Sequence, residues 1–217
     1  MAGPPTGGPA TGAAPHPCGR TGAGLGQTGR MARSTGQRPT PEDLAAAADR
    51  TVPDLLAPDL RVLFCGINPG LWSGATGNHF AGPGNRFWPA LYRSGFTSRV
   101  LRPDEREELL ALGLGITNVA TRTTAKADQL TPQELRDGGV VLREKVRRLR
   151  PRALAVLGLG AYRTAFGHKR TTVGQQSDTI GATEIWVLPN PSGLNAHYTL
   201  DALAAEFAKL REATAAE

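Results

Sequence analysis

Short runs of apolar residues alternate along this chain with longer stretches in which the apolar positions return every three or four residues. LRVLFCG (60–66), LGITNVA (114–120) and RALAVLG (152–158) are apolar almost throughout. Runs of that length read as strands buried on both faces. Between them lie helical patterns: FWPALYRSGF (87–96), TPQELRDGGVVLREKVRRL (131–149) and GAYRTAFG (160–167). The second opens on Thr131 with Glu134 three residues on, the spacing of a helix-capping box. TPEDLAAAADRTVPDLL (40–56) reads as a Thr-capped helix followed by a Pro-broken segment, and DTIGATEIWVLP (178–189) as one or two strands. TLDALAAEFAKLREATAA (199–216) closes the chain as an amphipathic helix. Strands alternating with helices predict an α/β fold with a central, mainly parallel sheet covered on both faces, a three-layer α/β/α sandwich.

Composition divides the chain at about residue 40. Residues 1–40 are Gly, Pro, Ala and Thr with almost no large apolar side chains, too few to offset the entropy of ordering. A disordered tail over 1–40 and a single domain over 41–217 are expected. GAGLGQTG within the tail has suggestive glycine spacing, but neither a strand before it nor a helix after it supports a phosphate loop. Lys and Arg number 25 against 19 Asp and Glu, and the net charge of +6 favours a polyanionic partner such as nucleic acid. Two cysteines exclude a disulfide framework, a Cys-rich metal site and a four-cysteine iron–sulfur cluster. No run of 18 apolar residues and no secretory h-region occur, so a soluble protein, cytoplasmic and away from membranes, is expected.

In open α/β sheets ligands bind beyond the carboxyl ends of the strands, and two of those loops are chemically unusual. GINPGLWSGATGNHFAGPGNRFW (66–88) combines glycines, which let backbone amides approach a ligand, with Asn68, Trp72, His79, Phe80, Phe87 and Trp88. Flexibility alone accounts for the glycines but not for the aromatics, which in loops pack or stack. LPNPSGLNAHYTL (188–200) carries Leu194 at the tip of a short turn. Leu194 reads either as a residue tucked into the core or as an apolar wedge of the kind that enters a DNA base stack.

GINPG at Gly66, GNRFW at Gly84 and NPSGL at Asn190 resemble the active-site motifs of the mismatch-specific uracil/thymine-DNA glycosylases, in the uracil-DNA glycosylase superfamily. GITNVATRTT and RDGGVVLREKV extend the resemblance, which covers roughly residues 58–212 and leaves the tail outside. It implies a uracil-DNA glycosylase-like fold and a partner in double-stranded DNA containing uracil or a mispaired or damaged pyrimidine. The implied activity is flipping and hydrolytic excision of that base, initiating base excision repair, by a monomer. Asn68 matches the position that orients the attacking water. An amide is a poor base, so it positions water for an oxocarbenium-like sugar and does not deprotonate it. Phe80 matches the position stacking on the flipped base.

Backbone amides near Ile67, Asn68 and Phe80 are suited to stabilising charge on the departing base. Ser73 reads either as a ligand or phosphate contact or as a turn residue bonded to its own backbone. Leu194 matches the wedge, with Gly193 and Asn195 able to contact the opposite base, and the family pattern carries Arg where Ala196 or His197 falls. Trp72 departs from the small polar residue of the pattern. Asp128, in TRTTAKADQLT (121–131), is a candidate supplementary acid beside Asn68. Arg86, Arg122 and Lys126 are candidate phosphate contacts. The absence of lysine from the first loop argues against a Schiff-base mechanism and for a monofunctional enzyme. Neither metal nor organic cofactor is implied. A non-catalytic DNA- or nucleotide-binding module on the same fold is the alternative; a serine hydrolase is opposed by the lack of G-x-S-x-G, and a dinucleotide enzyme by an incomplete glycine fingerprint.

Overall fold

The computed structural model of the protein describes residues 1, 3 and 38–215. The tail expected over residues 1–40 therefore lies, apart from Met1, Gly3 and residues 38–40, outside the described residues. Five strands, β1 (Val62–Gly66), β2 (Leu114–Asn118), β3 (Ala153–Leu157), β4 (Gly174–Ile180) and β5 (Thr183–Leu188), form one sheet in the order β2-β1-β3-β5-β4. The first four strands of that order run parallel, and β4 closes one edge as the antiparallel partner of β5. DTIGATEIWVLP thus folds as a hairpin turning through Gly181, with β4 reaching further toward the N-terminus than the apolar pattern indicated because its edge position leaves most of it exposed.

Side-chain alternation sends successive residues of each parallel strand to opposite faces. Val62 and Phe64 of β1, Ala153, Ala155 and Leu157 of β3, and Trp186 and Leu188 of β5 enter one core with α3 (Phe87–Arg93) and α7 (Leu200–Ala213). Leu63 and Cys65, Leu154 and Val156, and Ile185 and Val187 enter the other, with α5 (Pro132–Leu149) and α6 (Leu159–Phe166). The fold is the three-layer sandwich read from the sequence. The expected caps form, Thr40 on α1 (Pro41–Ala45) and Thr131 with Glu134 on α5, and Thr199 caps α7 as well. The glycine-rich first loop holds a helix that the hydrophobic pattern does not announce, α2 (Leu71–Thr76), and α4 (Glu108–Ala111) precedes β2. Among the described residues no helix is long and apolar enough to cross a membrane.

Candidate active site

The loops following β1, β2, β3 and β5 converge on one open cleft of about 1180 Å³. The loops after β1 and β2 are laced together: the amides of Val119, Ala120 and Thr124 donate to the carbonyls of Gly66, Ile67 and Pro69 at 2.9, 2.9 and 3.1 Å. This ladder fixes the backbone on both sides of Asn68. The side chain is fixed as well, because its Nδ2 donates to the Arg122 carbonyl at 2.9 Å, the Pro69 carbonyl at 3.2 Å and Thr124 Oγ1 at 2.7 Å. Thr124 in turn donates to the Lys126 carbonyl at 2.7 Å, so its oxygen lone pair faces the amide. With every neighbour of Nδ2 an acceptor, the amide has one orientation, and Oδ1 is left in the cleft without a partner among the described residues. That carbonyl oxygen is an acceptor open to the cleft.

Phe80 reaches the cleft through a strained backbone. Its φ of +53° places a bulky residue in the left-handed region, an arrangement that costs about 1–3 kcal/mol and persists only where its surroundings enforce it. The enforcing contacts are a stack on Phe87, with ring centroids 4.1 Å apart, and close approach of the ring to Gly66. A Cβ at Gly66 would stand 3.3 Å from that ring and 2.5 Å from Asn118 Oδ1, so glycine at the end of β1 is what lets both groups close on the cleft floor. The amides of Ile67, Asn68 and Phe80 donate to no group among the described residues, which leaves three N–H donors on cleft-lining residues.

Asn118 is the residue that sequence reasoning passed over. It ends β2, it is buried, and its amide lines the cleft beside Gly66. A polar residue closing an otherwise apolar strand was the available signal. His79 lies beneath, its Nε2 2.9 Å from the Pro53 carbonyl and its Nδ1 3.4 Å from Asn118 Nδ2. Burial holds the His79 pKa below the ordinary 6.5, so the ring is neutral near neutral pH.

Several candidate side chains are engaged within the protein. The Arg86 guanidinium donates to the carbonyls of Ser192 at 2.7 Å, Asn195 at 2.9 Å and Tyr198. Its backbone N–H adds a bond to the Pro191 carbonyl at 2.9 Å, so Arg86 clamps the turn that carries Leu194. Arg122 is also committed, to Glu134 at 2.9 Å and Asp49 at 3.1 Å. Those bonds raise its own pKa and hold the Glu134 carboxyl down to about 2. Lys126 is exposed at the cleft and makes no ion pair among the described residues. Ser73, at 4% exposure, is buried in α2 and accepts from the Ala81 N–H at 3.3 Å, so it braces the loop directly after Phe80. Asn195 is engaged at both ends of its amide, donating to the Asn190 carbonyl at 2.9 Å and accepting from the His197 N–H at 3.2 Å.

Leu194 stands at the tip of that turn with 83% of its surface exposed, which removes the core reading. Gly193 packs against the first loop, where a Cβ would stand 2.6 Å from the Gly84 carbonyl. His197 is exposed beside it. Asp128 is exposed on the short turn Ala127–Gln129, outside the cleft lining and without a bonded partner among the described residues. The described cleft lining contains no Asp or Glu, and Lys126 is its one charged residue. Among the described residues no three His, Cys, Asp or Glu side chains cluster as metal ligands. The cleft is thus free of carboxylates, rich in N–H donors and backed by apolar walls, suited to binding a planar polar ring and to stabilising negative charge on it. Residues 53–214 match the uracil DNA glycosylase superfamily, a span that begins at Pro53 beside His79 and ends at Thr214 after α7.

Proposed function

The chain belongs to the uracil DNA glycosylase superfamily, and within it we propose a monofunctional, mismatch-specific enzyme that excises uracil opposite guanine and related mispaired pyrimidines from duplex DNA. The observation that carries this reading is Asn68, whose amide nitrogen is saturated by three acceptors while its oxygen is open to a cleft free of carboxylates. Such a site does not deprotonate water before attack. It suits a reaction in which the bond from C1′ to the base nitrogen breaks first, the electron pair leaving with the base and an oxocarbenium-like sugar remaining. Water, held by Asn68 Oδ1, then bonds to C1′ and releases its proton to solvent or to the departing base. The free amides of Ile67, Asn68 and Phe80 offer hydrogen bonds to the negative charge that collects on the base oxygens, and Phe80 offers its ring as a stacking surface.

Flipping the nucleotide leaves a gap in the stack, which Leu194 fills from its rigid turn, with Gly193 and His197 nearest the opposite strand. Lys126 is the cation available to a phosphate beside the cleft. The same residues would serve a binding module without hydrolysis. The deciding experiment incubates the protein with duplexes carrying uracil opposite guanine, uracil opposite adenine and uracil in a single strand, followed by alkali. Alkali-labile sites formed by the wild type, fastest opposite guanine, and lost with Asn68→Ala are expected. The absence of labile sites in every duplex would replace the enzyme with the binding module. Persistence with Asn68→Ala and loss with Asp128→Ala would move catalysis to the carboxylate. Borohydride trapping of a covalent complex through Lys126 would end the monofunctional reading.

A further inference from the structure

His79 is only 2% exposed and has no part in the steps above. Its Nε2 faces the Pro53 carbonyl, which can only accept, so the ring proton resides on Nε2. In the neutral ring Nδ1 is then a bare acceptor, and of the two ends of the Asn118 amide only Nδ2 can satisfy it. Oδ1 of Asn118 is thereby turned to the cleft floor over Gly66. The arrangement is anchored from both ends by one lysine. Lys145 pairs with Asp54, next to Pro53, at 2.5 Å and donates to Thr117 Oγ1, next to Asn118, at 2.8 Å.

We propose that His79 is a positioning residue that sets base specificity: as the Nε2–H tautomer it locks Asn118 with its oxygen toward the flipped base. The pocket then selects a ring that offers an N–H at that edge, as the N3 of uracil does. Protonation of His79 places a donor on Nδ1, draws Asn118 Oδ1 inward and presents Nδ2 to the base, which inverts the preference. The charged groups acting on the ring are Asp54, which favours its protonated form, and Arg106 and Lys145, which oppose it together with burial. This proposal rests on the glycosylase reading.

The test compares excision of uracil with excision of N3-methyluracil, which carries a methyl group in place of the N3 hydrogen and keeps both carbonyls, in otherwise identical duplexes. Ratios between enzymes cancel the intrinsic leaving ability of each base. His79→Phe, which neither donates nor accepts at the ring edge, is expected to lower the uracil preference in kcat/KM about tenfold, the size of one neutral hydrogen bond. The wild-type preference is expected to fall likewise as pH drops below the ordinary histidine range, and the His79→Phe preference to stay flat across the same window. An unchanged preference in His79→Phe, with uracil still excised, would overturn the proposal and leave the enzyme reading intact. Nitrogen-15 shifts of histidine-labelled wild-type protein read the tautomer independently of any variant's folding, with the His79 signals assigned by their loss in His79→Gln. A proton on Nε2 is expected, and a proton on Nδ1 would overturn the proposal. Failure of the wild type to release uracil would instead remove the glycosylase reading on which it rests.

Discussion

Arg86→Ala separates two roles that an arginine beside a DNA-binding cleft can play. As a phosphate contact, Arg86 would contribute Coulombic affinity and little else. In the structure it gives its guanidinium to three carbonyls of the 192–198 turn and its backbone N–H to a fourth at Pro191. Hydrogen bonds from a charged group are each worth about 1.5–3 kcal/mol, but the freed carbonyls lie on an exposed turn and regain water. A net loss of about 2 kcal/mol in the ordering of the turn is therefore reasonable, and DNA binding must supply it. At 1.4 kcal/mol per tenfold, affinity for a duplex containing a stable abasic analogue should fall roughly 30-fold. Measured by fluorescence anisotropy across a series of salt concentrations, log Kd against log salt should keep its wild-type slope, because no phosphate contact is lost. Excision by saturating enzyme in a single turnover should change little. A slope reduced by about 0.9, the signature of one lost phosphate contact, would refute the clamp.

Other residues make separate predictions. Thr124→Val removes one of the three acceptors holding the Asn68 amide and should lower the single-turnover rate about tenfold at unchanged DNA affinity. Leu194→Ala, by shortening the exposed tip, should weaken binding to a mismatched duplex much more than to a single strand, as gel shift or anisotropy would register. Gly193→Ala should drive the turn off the first loop, because its Cβ would lie 2.6 Å from the Gly84 carbonyl, and should lower both affinity and rate. Glu134, held down to about 2 chiefly by Arg122 and then by the Thr131 N–H, has a folded-state pKa below its ordinary 4.5. Its contribution to stability is complete above that ordinary value and is lost as pH falls from 4.5 toward 2. The melting temperature should decline across that acid window, and less steeply in Glu134→Gln.

The layered fold was legible in the chain because burial on both faces of a parallel strand leaves a continuous apolar run, and caps such as Thr131 with Glu134 mark where helices begin. The short helix α2 was not, since its sequence, LWSGAT, carries two small polar residues, a glycine and no helical period of its own. It is held by its place between β1 and the loop before Phe80. Asn68, Phe80 and Leu194 stood out as chemically unusual residues in loops at strand ends. The sequence by itself determined which elements form, which loops face the ligand side of the sheet and that their chemistry is amide, aromatic and apolar. Only the tertiary structure decided what each polar group is free to do. Arg86, Arg122, Ser73 and Asn195 have the same side chains whether they meet DNA or the protein, and their partners are separated from them in sequence or set by the path of a turn. The same holds for the orientation of the Asn68 and Asn118 amides. It depends on Arg122, Thr124 and His79 arriving from other loops, because a hydrogen bond is satisfied by position in space and leaves no period along the chain.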